Sequence, residues 1–287
     1  MDVVMLLAAF GGGILGAAWG ALPVFIMTGV VAVAGGLLGM AGFTEYSVGY
    51  IAFGPFLGPH ITFAGGVAAA AYAANKKNNL KSGCDILTPL YSTGDAGTLF
   101  VGGVFGVLGA VLAYVFGSVA KIPTDVVAMT VFTLGVVTRF AFGRTGMTGQ
   151  CEIERQWYTP KGGLVNNILF GLGVGLTVAY VGLLMLGAGM KKELLGLYPV
   201  VCFGISAMTL VFAQTGFPIP ATHHITLPCA VAFVLTGNVF IATGVAVFNT
   251  LYGDVVGKSF NSHCDTHIDP PATVIFTTVL ALNLFFG

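Results

Sequence analysis

Two short polar segments interrupt an otherwise apolar chain, and both combine histidine with threonine near proline residues. The first is Pro59-His60-Ile61-Thr62 and the second is His223-His224-Ile225-Thr226. Polar groups in hydrocarbon are costly unless they find partners, and imidazole can donate, accept or carry a proton. We therefore predict a binding site for a small solute or ion at these residues: His60, Thr62, His223, His224, Thr226 and, within a nearby apolar segment, Asn249. The alternative is that each histidine only braces a break in a helix.

A second pair of segments, residues 82–85 and 262–265, places cysteine directly before aspartate. Thiolate, imidazole and carboxylate groups are ligands of zinc and related metals, so a metal ion is possible. Its candidate ligands are Cys84, Asp85, Cys264, Asp265, His267 and Asp269. The spacing matches no established zinc motif, which favours the alternative that the aspartates cap the helices that follow. We predict no cofactor, and no tightly bound metal shared by Cys84 and Cys264.

The composition is that of an integral membrane protein whose main partner is the lipid bilayer. Of the 287 residues, 56% are hydrophobic and only 8% are charged, with a mean hydropathy of +0.93. A soluble protein carries about 25% charged residues. The formal net charge is zero and no basic patch is evident, which excludes nucleic acid as a partner. The sequence contains no phosphate-binding loop and no hydrolase motif.

The 43 glycines are unusually frequent and lie mostly in apolar segments. Glycine lets membrane helices approach closely, so tight helix packing is the expected role. The alternative is close approach of the backbone to a permeant. We also expect a homo-oligomer.

The hydrophobic pattern predicts an all-α, polytopic transmembrane bundle of roughly 8–10 crossings. Predicted helices cover residues 3–20, 22–41, 61–75, 96–118, 124–142, 164–187, 195–216 and 271–287. Prolines make residues 49–58 a re-entrant or broken segment. Residues 217–256 contain either one broken crossing or two short ones, at 225–237 and 239–256. We expect residues 54–60 and 217–224 to be non-helical within the membrane thickness.

The repeated segments suggest two related halves, residues 1–142 and 164–287, joined by a polar linker at 143–163. Inverted repeats of five helices each are favoured, and parallel repeats remain open. The Cys-Asp match predicts that residues 61–100 and 240–287 superpose.

Basic residues place two loops on one side of the membrane, which we assign as cytoplasmic, with the N-terminus outside. They are Lys76, Lys77, Lys81, Arg144, Arg155 and Lys161. Arg139, near a helix end, is expected to extend to the membrane interface.

Residues 54–66 (Gly54-Pro55-Phe56-Leu57-Gly58-Pro59-His60-Ile61-Thr62-Phe63-Ala64-Gly65-Gly66) and Pro123-Thr124-Asp125 resemble uncharacterised prokaryotic permease-like membrane proteins. The two halves with broken helices are also similar in kind to urea transporters. This resemblance implies a multi-pass protein of the prokaryotic cytoplasmic membrane.

We therefore predict a secondary transporter or channel that passes a small solute or ion between the two halves. A membrane metalloprotein or enzyme that uses the Cys/Asp/His loops is one alternative. A structural subunit of a membrane assembly is another, and a solid core without a cavity would favour it.

Overall fold

The computed structural model describes residues 2–152 and 154–287, and within these ranges every regular element is helical. The α-helices are α1 Val3–Trp19, α2 Ala21–Met40, α3 Thr62–Asn75, α4 Ala96–Tyr114, α5 Val126–Phe142, α6 Gly162–Gly187, α7 Lys192–Leu195, α8 Tyr198–Thr209, α9 Val211–Gln214, α10 His223–Thr236, α11 Val239–Phe260 and α12 Pro270–Phe286. Short π-helical turns lie at Val48–Ala52 and Val115–Val119, and a 3-10 turn lies at Leu90–Thr93. The prediction of an all-α bundle is confirmed.

Within the described residues, five helical segments are long and apolar enough to cross a membrane, which indicates an integral membrane protein. They are Ala21–Met40, Ala96–Val119, Gly162–Gly187, Lys192–Gln214 and Val239–Phe260. The other apolar helices, α1, α5, α10 and α12, have 14 to 17 residues each.

Aspartate side chains begin four of these helices. Asp2, Asp95, Asp125 and Asp269 each accept a hydrogen bond from a backbone N–H in the first turn of the following helix. An N-cap oxygen satisfies one of the donors that a helix start leaves unpaired. The capping role considered for Asp269 is therefore present, beside the other contacts described below.

The segment before α3 is non-helical and lies at the depth of the middle of the neighbouring helices. The Leu57 carbonyl accepts a hydrogen bond of 2.7 Å from Thr28 Oγ1, near the middle of α2. Ile61 packs against Gly12, near the middle of α1. Residues 54–60 are thus irregular, as predicted, although residues 49–52 belong to a π-helical turn rather than to the break.

The second break is shorter than predicted, because α10 already begins at His223. The prediction that residues 217–224 are non-helical holds for 217–222 and is wrong for the last two residues. The Thr222 carbonyl accepts from the amides of Ile225 and Thr226, which closes the first helical turn there. Residues 217–256 contain two separate helices rather than one broken crossing, but only α10 is short, because α11 has 22 residues and continues to Phe260.

Proline inside α10 leaves a carbonyl without its helical donor, and Asn249 supplies a substitute. Pro228 has no N–H to donate to the carbonyl of residue 224, four residues earlier. Asn249 Nδ2, near the middle of α11, donates to that His224 carbonyl at 2.9 Å. The start of α10 is thereby fixed halfway along α11.

One face of the bundle carries the loops at residues 76–95, 143–161 and 261–269, and we call it the linker face. Arg144 donates from its side chain to the Asn75 carbonyl and from its amide to Asp265. Asn75 Nδ2 in turn donates to the Asp265 carbonyl at 3.0 Å. The prediction that the two basic loops share one side is confirmed.

Glycines bring the helices into backbone contact, which confirms their predicted packing role. Gly13 of α1 packs on Gly102 of α4, and Gly175 of α6 packs on Thr243 of α11. Gly29 of α2 meets Gly204 of α8, which joins the two parts of the chain. Helix α3 runs from mid-depth towards the linker face, whereas α10 runs from mid-depth away from it.

Candidate functional site

A cavity of about 810 Å³ extends from the linker face to the start of α10. Loop residues 82 and 84–88 and Asn261 line its outer part. Its deepest polar residues are His223, His224, His267 and Asp269, brought together by α10 and by the approach to α12. One segment of each pair singled out in the sequence, 223–226 and 82–85, therefore contributes to this cavity, whereas segments 59–62 and 262–265 do not line it.

His223 and His224 are the first two residues of α10 and are almost fully buried. They retain 4% and 9% of their surface, and the Nδ1 atom of each has no hydrogen-bond partner in the protein. The imidazole of His224 lies against Gly253 of α11, where a Cβ atom would stand 2.5 Å from Nε2. Buried polar atoms are normally paired, so unpartnered nitrogens in two adjacent histidines are an unusual feature of this site.

His267 and Asp269 form a hydrogen-bonded pair beside the two histidines. His267 Nε2 lies 3.2 Å from Asp269 Oδ1, while Asp269 Oδ2 accepts from the Ala272 amide at 2.7 Å. Asn261 accepts from the Ile268 amide, which turns its Nδ2 towards His267 Nδ1 at 3.5 Å. This network assigns the His267 proton to Nε2, from which it is donated to the carboxylate.

Aromatic side chains close the inner end of the cavity. The ring of His223 lies 4.9 Å from that of Phe25 and 5.9 Å from that of Phe203, and Phe63 stacks obliquely on Phe25 at 5.5 Å. We call Phe25, Phe63 and Phe203 the aromatic barrier. These three residues could not be recognised from the sequence, because phenylalanine in an apolar helix gives no distinguishing signal.

A second, small cavity of about 40 Å³ lies on the other side of this barrier. It shares Phe25, Phe63, His223 and Asp269 with the large cavity and is also lined by Asp125, the N-cap of α5. His223 and Asp269 thus lie between two spaces.

Three of the predicted binding residues serve as braces and line neither cavity. Thr62 Oγ1 donates to carbonyls in the break before α3. Thr226 Oγ1 lies 2.9 Å from Ser206 Oγ and 3.2 Å from the Cys202 carbonyl. Asn249 holds the start of α10, as described above, and its Oδ1 accepts from Thr278.

His60 also stands apart from the cavity. It is 6% exposed, and its Nδ1 has no partner, as in the two later histidines. Its carbonyl, however, packs against Gly109 of α4, and of this segment only Pro59 reaches the small cavity. The two His-Ile-Thr segments match in sequence, but they do not line the same cavity.

The candidate metal ligands are divided between the cavity and the linker face. Cys84 and Asp85 line the outer cavity, while Asp265 accepts from the Arg144 amide at 2.7 Å and from Thr145 Oγ1 at 2.8 Å. Cys84 Sγ lies 3.2 Å from the Cys264 carbonyl and 3.0 Å from that of Thr266. Burial raises the pKa of the Cys84 thiol, which therefore stays protonated and donates. Across residues 2–152 and 154–287, no three His, Cys, Asp or Glu side chains converge as a metal site would require.

Arg139 is buried rather than extended to the interface, so that expectation is wrong. Only 1% of its surface is exposed. Its guanidinium donates to the carbonyls of Met147 at 2.7 Å, Phe260 at 2.7 Å and Thr266 at 2.8 Å, and contacts Cys264 Sγ at 3.0 Å. The planar guanidinium has five N–H donors, which suits a position surrounded by carbonyl groups. Arg139 thus ties α5 to the linker and to the loop before α12.

Comparison with known proteins identifies a family without an assigned activity. A family model described as "Family of unknown function (DUF7973)" matches residues 1–157 and 170–287. No curated protein and no solved structure gives a significant match.

Proposed function

The chain belongs to a family of unknown function, DUF7973, and we propose that it is a membrane transport protein for a small solute or ion. One observation carries this proposal. A cavity reaches from the linker face to two buried histidines whose Nδ1 atoms lack partners. Ionisable groups inside a membrane bundle characteristically mark the route of a solute or ion.

The helix that supplies these histidines has the character of a transporter half-helix. Its first turn lies at the inner end of the cavity, where unpaired backbone N–H groups and the helix dipole can orient a bound molecule. Irregular backbone at membrane depth is tolerated where it is buried in protein or lines a cavity. Residues 219–221 of the second break do line it.

We further propose that the two halves are inverted repeats of five membrane elements each. Support comes from equivalent packing, since α1 lies on α4 as α6 lies on α11, and from the opposite directions of α3 and α10. This alignment pairs α3 with α10 and α4 with α11. It therefore places Cys84 and Cys264 in loops that are not equivalent, unlike the alignment that the Cys-Asp match predicted.

An inverted repeat supports an alternating-access mechanism. The large cavity lies on the linker side of the aromatic barrier, and the small cavity lies beyond it. If the two halves exchanged their conformations, the large cavity would close and the small cavity would open, with His223 and Asp269 lying between the two. The cavity also disfavours the alternative of a structural subunit, for which a solid core was expected.

The test is flux into proteoliposomes, measured over a panel of small cations, anions and neutral solutes. His224→Ala should lower the flux of the transported solute at least tenfold without changing expression or oligomer size. His60→Ala is the matched control, because His60 is equally buried but lines neither cavity; this variant should retain flux.

Two results would contradict the proposal. One is the absence of flux for every solute in the panel. The other is stoichiometric zinc or iron in the purified protein that is lost in Cys264→Ser, which would instead favour a membrane metalloprotein.

A further inference from the structure

The ionisable side chains that line the two cavities are acidic groups, histidines and one cysteine. Asp85, Asp254 and Asp269 face the large cavity, and Asp125 faces the small one. Within the described ranges, no lysine or arginine lines either space. Carboxyl groups thus line both cavities, without a lysine or arginine in the described lining of either.

Two of these four carboxylates are already balanced or held by donors near the linker face. Asp254 pairs with Lys258 at 3.7 Å and accepts from Thr159. Asp85 accepts from the amides of Leu87 and Thr88 and from the Thr88 hydroxyl.

The other two carboxylates have no lysine or arginine partner and flank the aromatic barrier. Asp269 is hydrogen-bonded to His267 and to the Ala272 amide, and Asp125 Oδ1 accepts from the Ala128 amide at 2.9 Å. No Lys or Arg lies within ion-pair distance of either carboxylate in the described part of the chain. A carboxylate in a low-dielectric interior is costly without a compensating cation.

The groups between these two carboxylates also suit a positive charge. The phenyl rings of the aromatic barrier present negative π-faces, which attract cations. His223 lies between Phe25 and Phe203, is 4% exposed, and has an unpartnered Nδ1 that is able to accept a hydrogen bond or a cation as its neutral tautomer. An anion would meet acidic groups on both sides of the barrier and no compensating cation.

We propose that the permeant is a small cation, which binds at Asp269 and His223, crosses the aromatic barrier and leaves past Asp125. This inference rests on the proposed transport function. It specifies that the substrate is positively charged. It also gives Asp125, which caps helix α5, a second role as a residue on the proposed route.

The experiment uses the full-length protein in liposomes on a solid-supported membrane, where transported charge is recorded as current. The cation probes are ammonium, sodium, potassium and magnesium, each as its chloride. Chloride and nitrate with N-methyl-D-glucamine test anions, and urea and glycerol are followed by light scattering. Comparison of ammonium with sodium, potassium and magnesium distinguishes a hydrogen-bonding cation from alkali and divalent metal ions.

The variants are Asp269→Asn, Asp125→Asn and Asp95→Asn. Asparagine retains N-cap geometry, so each helix start is preserved while the charge is removed. Asp95 caps α4 through the Thr98 amide but lines neither cavity, which makes it the matched control. We expect inward positive current for at least one cation, reduced at least tenfold in Asp269→Asn and Asp125→Asn and unchanged in Asp95→Asn.

The outcomes separate this inference from the proposed function. Flux of anions or neutral solutes without cation current overturns the cation assignment and leaves transport standing. No flux of any probe overturns both. Wild-type current in Asp125→Asn also overturns the proposed route. If Asp269→Asn does not yield a monodisperse protein, the result for Asp125→Asn alone tests the proposal.

Discussion

Gly253 gives His224 its position at the inner end of the cavity, because only hydrogen occupies the space beside the imidazole. In Gly253→Ala the new methyl group would lie 2.5 Å from Nε2, so the ring must turn away. We expect solute flux to fall at least fivefold. Gly257→Ala, one turn further along α11, meets nothing closer than Pro270 Cγ at 3.8 Å and should retain flux. Equal flux in the two variants would argue against a role for the His224 ring.

Cys84 offers a pH-dependent readout on the linker side of the same cavity. Burial raises the pKa of its thiol, so the reactive thiolate forms only at more alkaline pH. With Cys151 and Cys264 replaced by serine, alkylation of the folded protein should have its midpoint above the value of about 8.5 for a free cysteine. Denaturation in detergent should return the midpoint to that value. A folded-state midpoint at or below 8.5 would contradict the buried environment.

At the scale of the helices, glycine contacts determine how closely α3 approaches α1. Gly16 of α1 packs directly on the Thr62 carbonyl, where a Cβ atom has no room, whereas Gly11 of the same helix has open space around it. Overpacking of this kind costs about 1–3 kcal/mol. Gly16→Ala should therefore lower the melting temperature of the purified protein clearly, and Gly11→Ala should not. Similar melting temperatures would show that the two helices can separate without penalty.

The two breaks differ in how their backbone groups are satisfied. Around α3, hydroxyl groups of Thr28 and Thr62 donate to the Leu57 carbonyl. In α10 the carbonyl released by Pro228 is taken up by an amide from another helix, Asn249. The same requirement, that no carbonyl stays unpaired away from water, is thus met by different residues. This explains why Thr62 and Asn249 are buried polar residues that line neither cavity.

For the whole molecule, the basic residues predict the orientation in the membrane. Eight of the eleven lysines and arginines belong to the linker face, and only Lys121, Lys191 and Lys192 lie at the other end. By the positive-inside rule we predict that the linker face is cytoplasmic.

Labelling with a membrane-impermeant maleimide tests this orientation in cells that express the protein. With Cys84, Cys151 and Cys264 replaced by serine, Lys191→Cys should be labelled in intact cells. Lys76→Cys should be labelled only after the membrane is permeabilised. The reverse pattern would invert the assigned topology and place the cavity on the outer side.

Much of the helical framework could be predicted from the sequence. Long apolar segments can only satisfy their backbone in hydrocarbon as helices, so the predicted helix at 22–41 corresponds to Ala21–Met40 and that at 124–142 to Val126–Phe142. Prolines at 55 and 59 located the first break for the same local reason. The predicted end of the second break, residue 224, was two residues too late. Helix α10 begins at His223 because the Thr222 carbonyl accepts the first helical hydrogen bonds, and its position depends on the path of the chain.

The sequence by itself determined the membrane location, the helical class and the residue types able to bind a polar molecule, because composition and local hydrogen bonding settle these properties. Only the tertiary structure decided which of those residues meet. His223, His224, His267 and Asp269 line one cavity, whereas His60 lies outside it and Arg139 is enclosed by loop carbonyls. Such grouping depends on contacts between helices far apart in the chain, and the glycines that set those contacts look alike in the sequence.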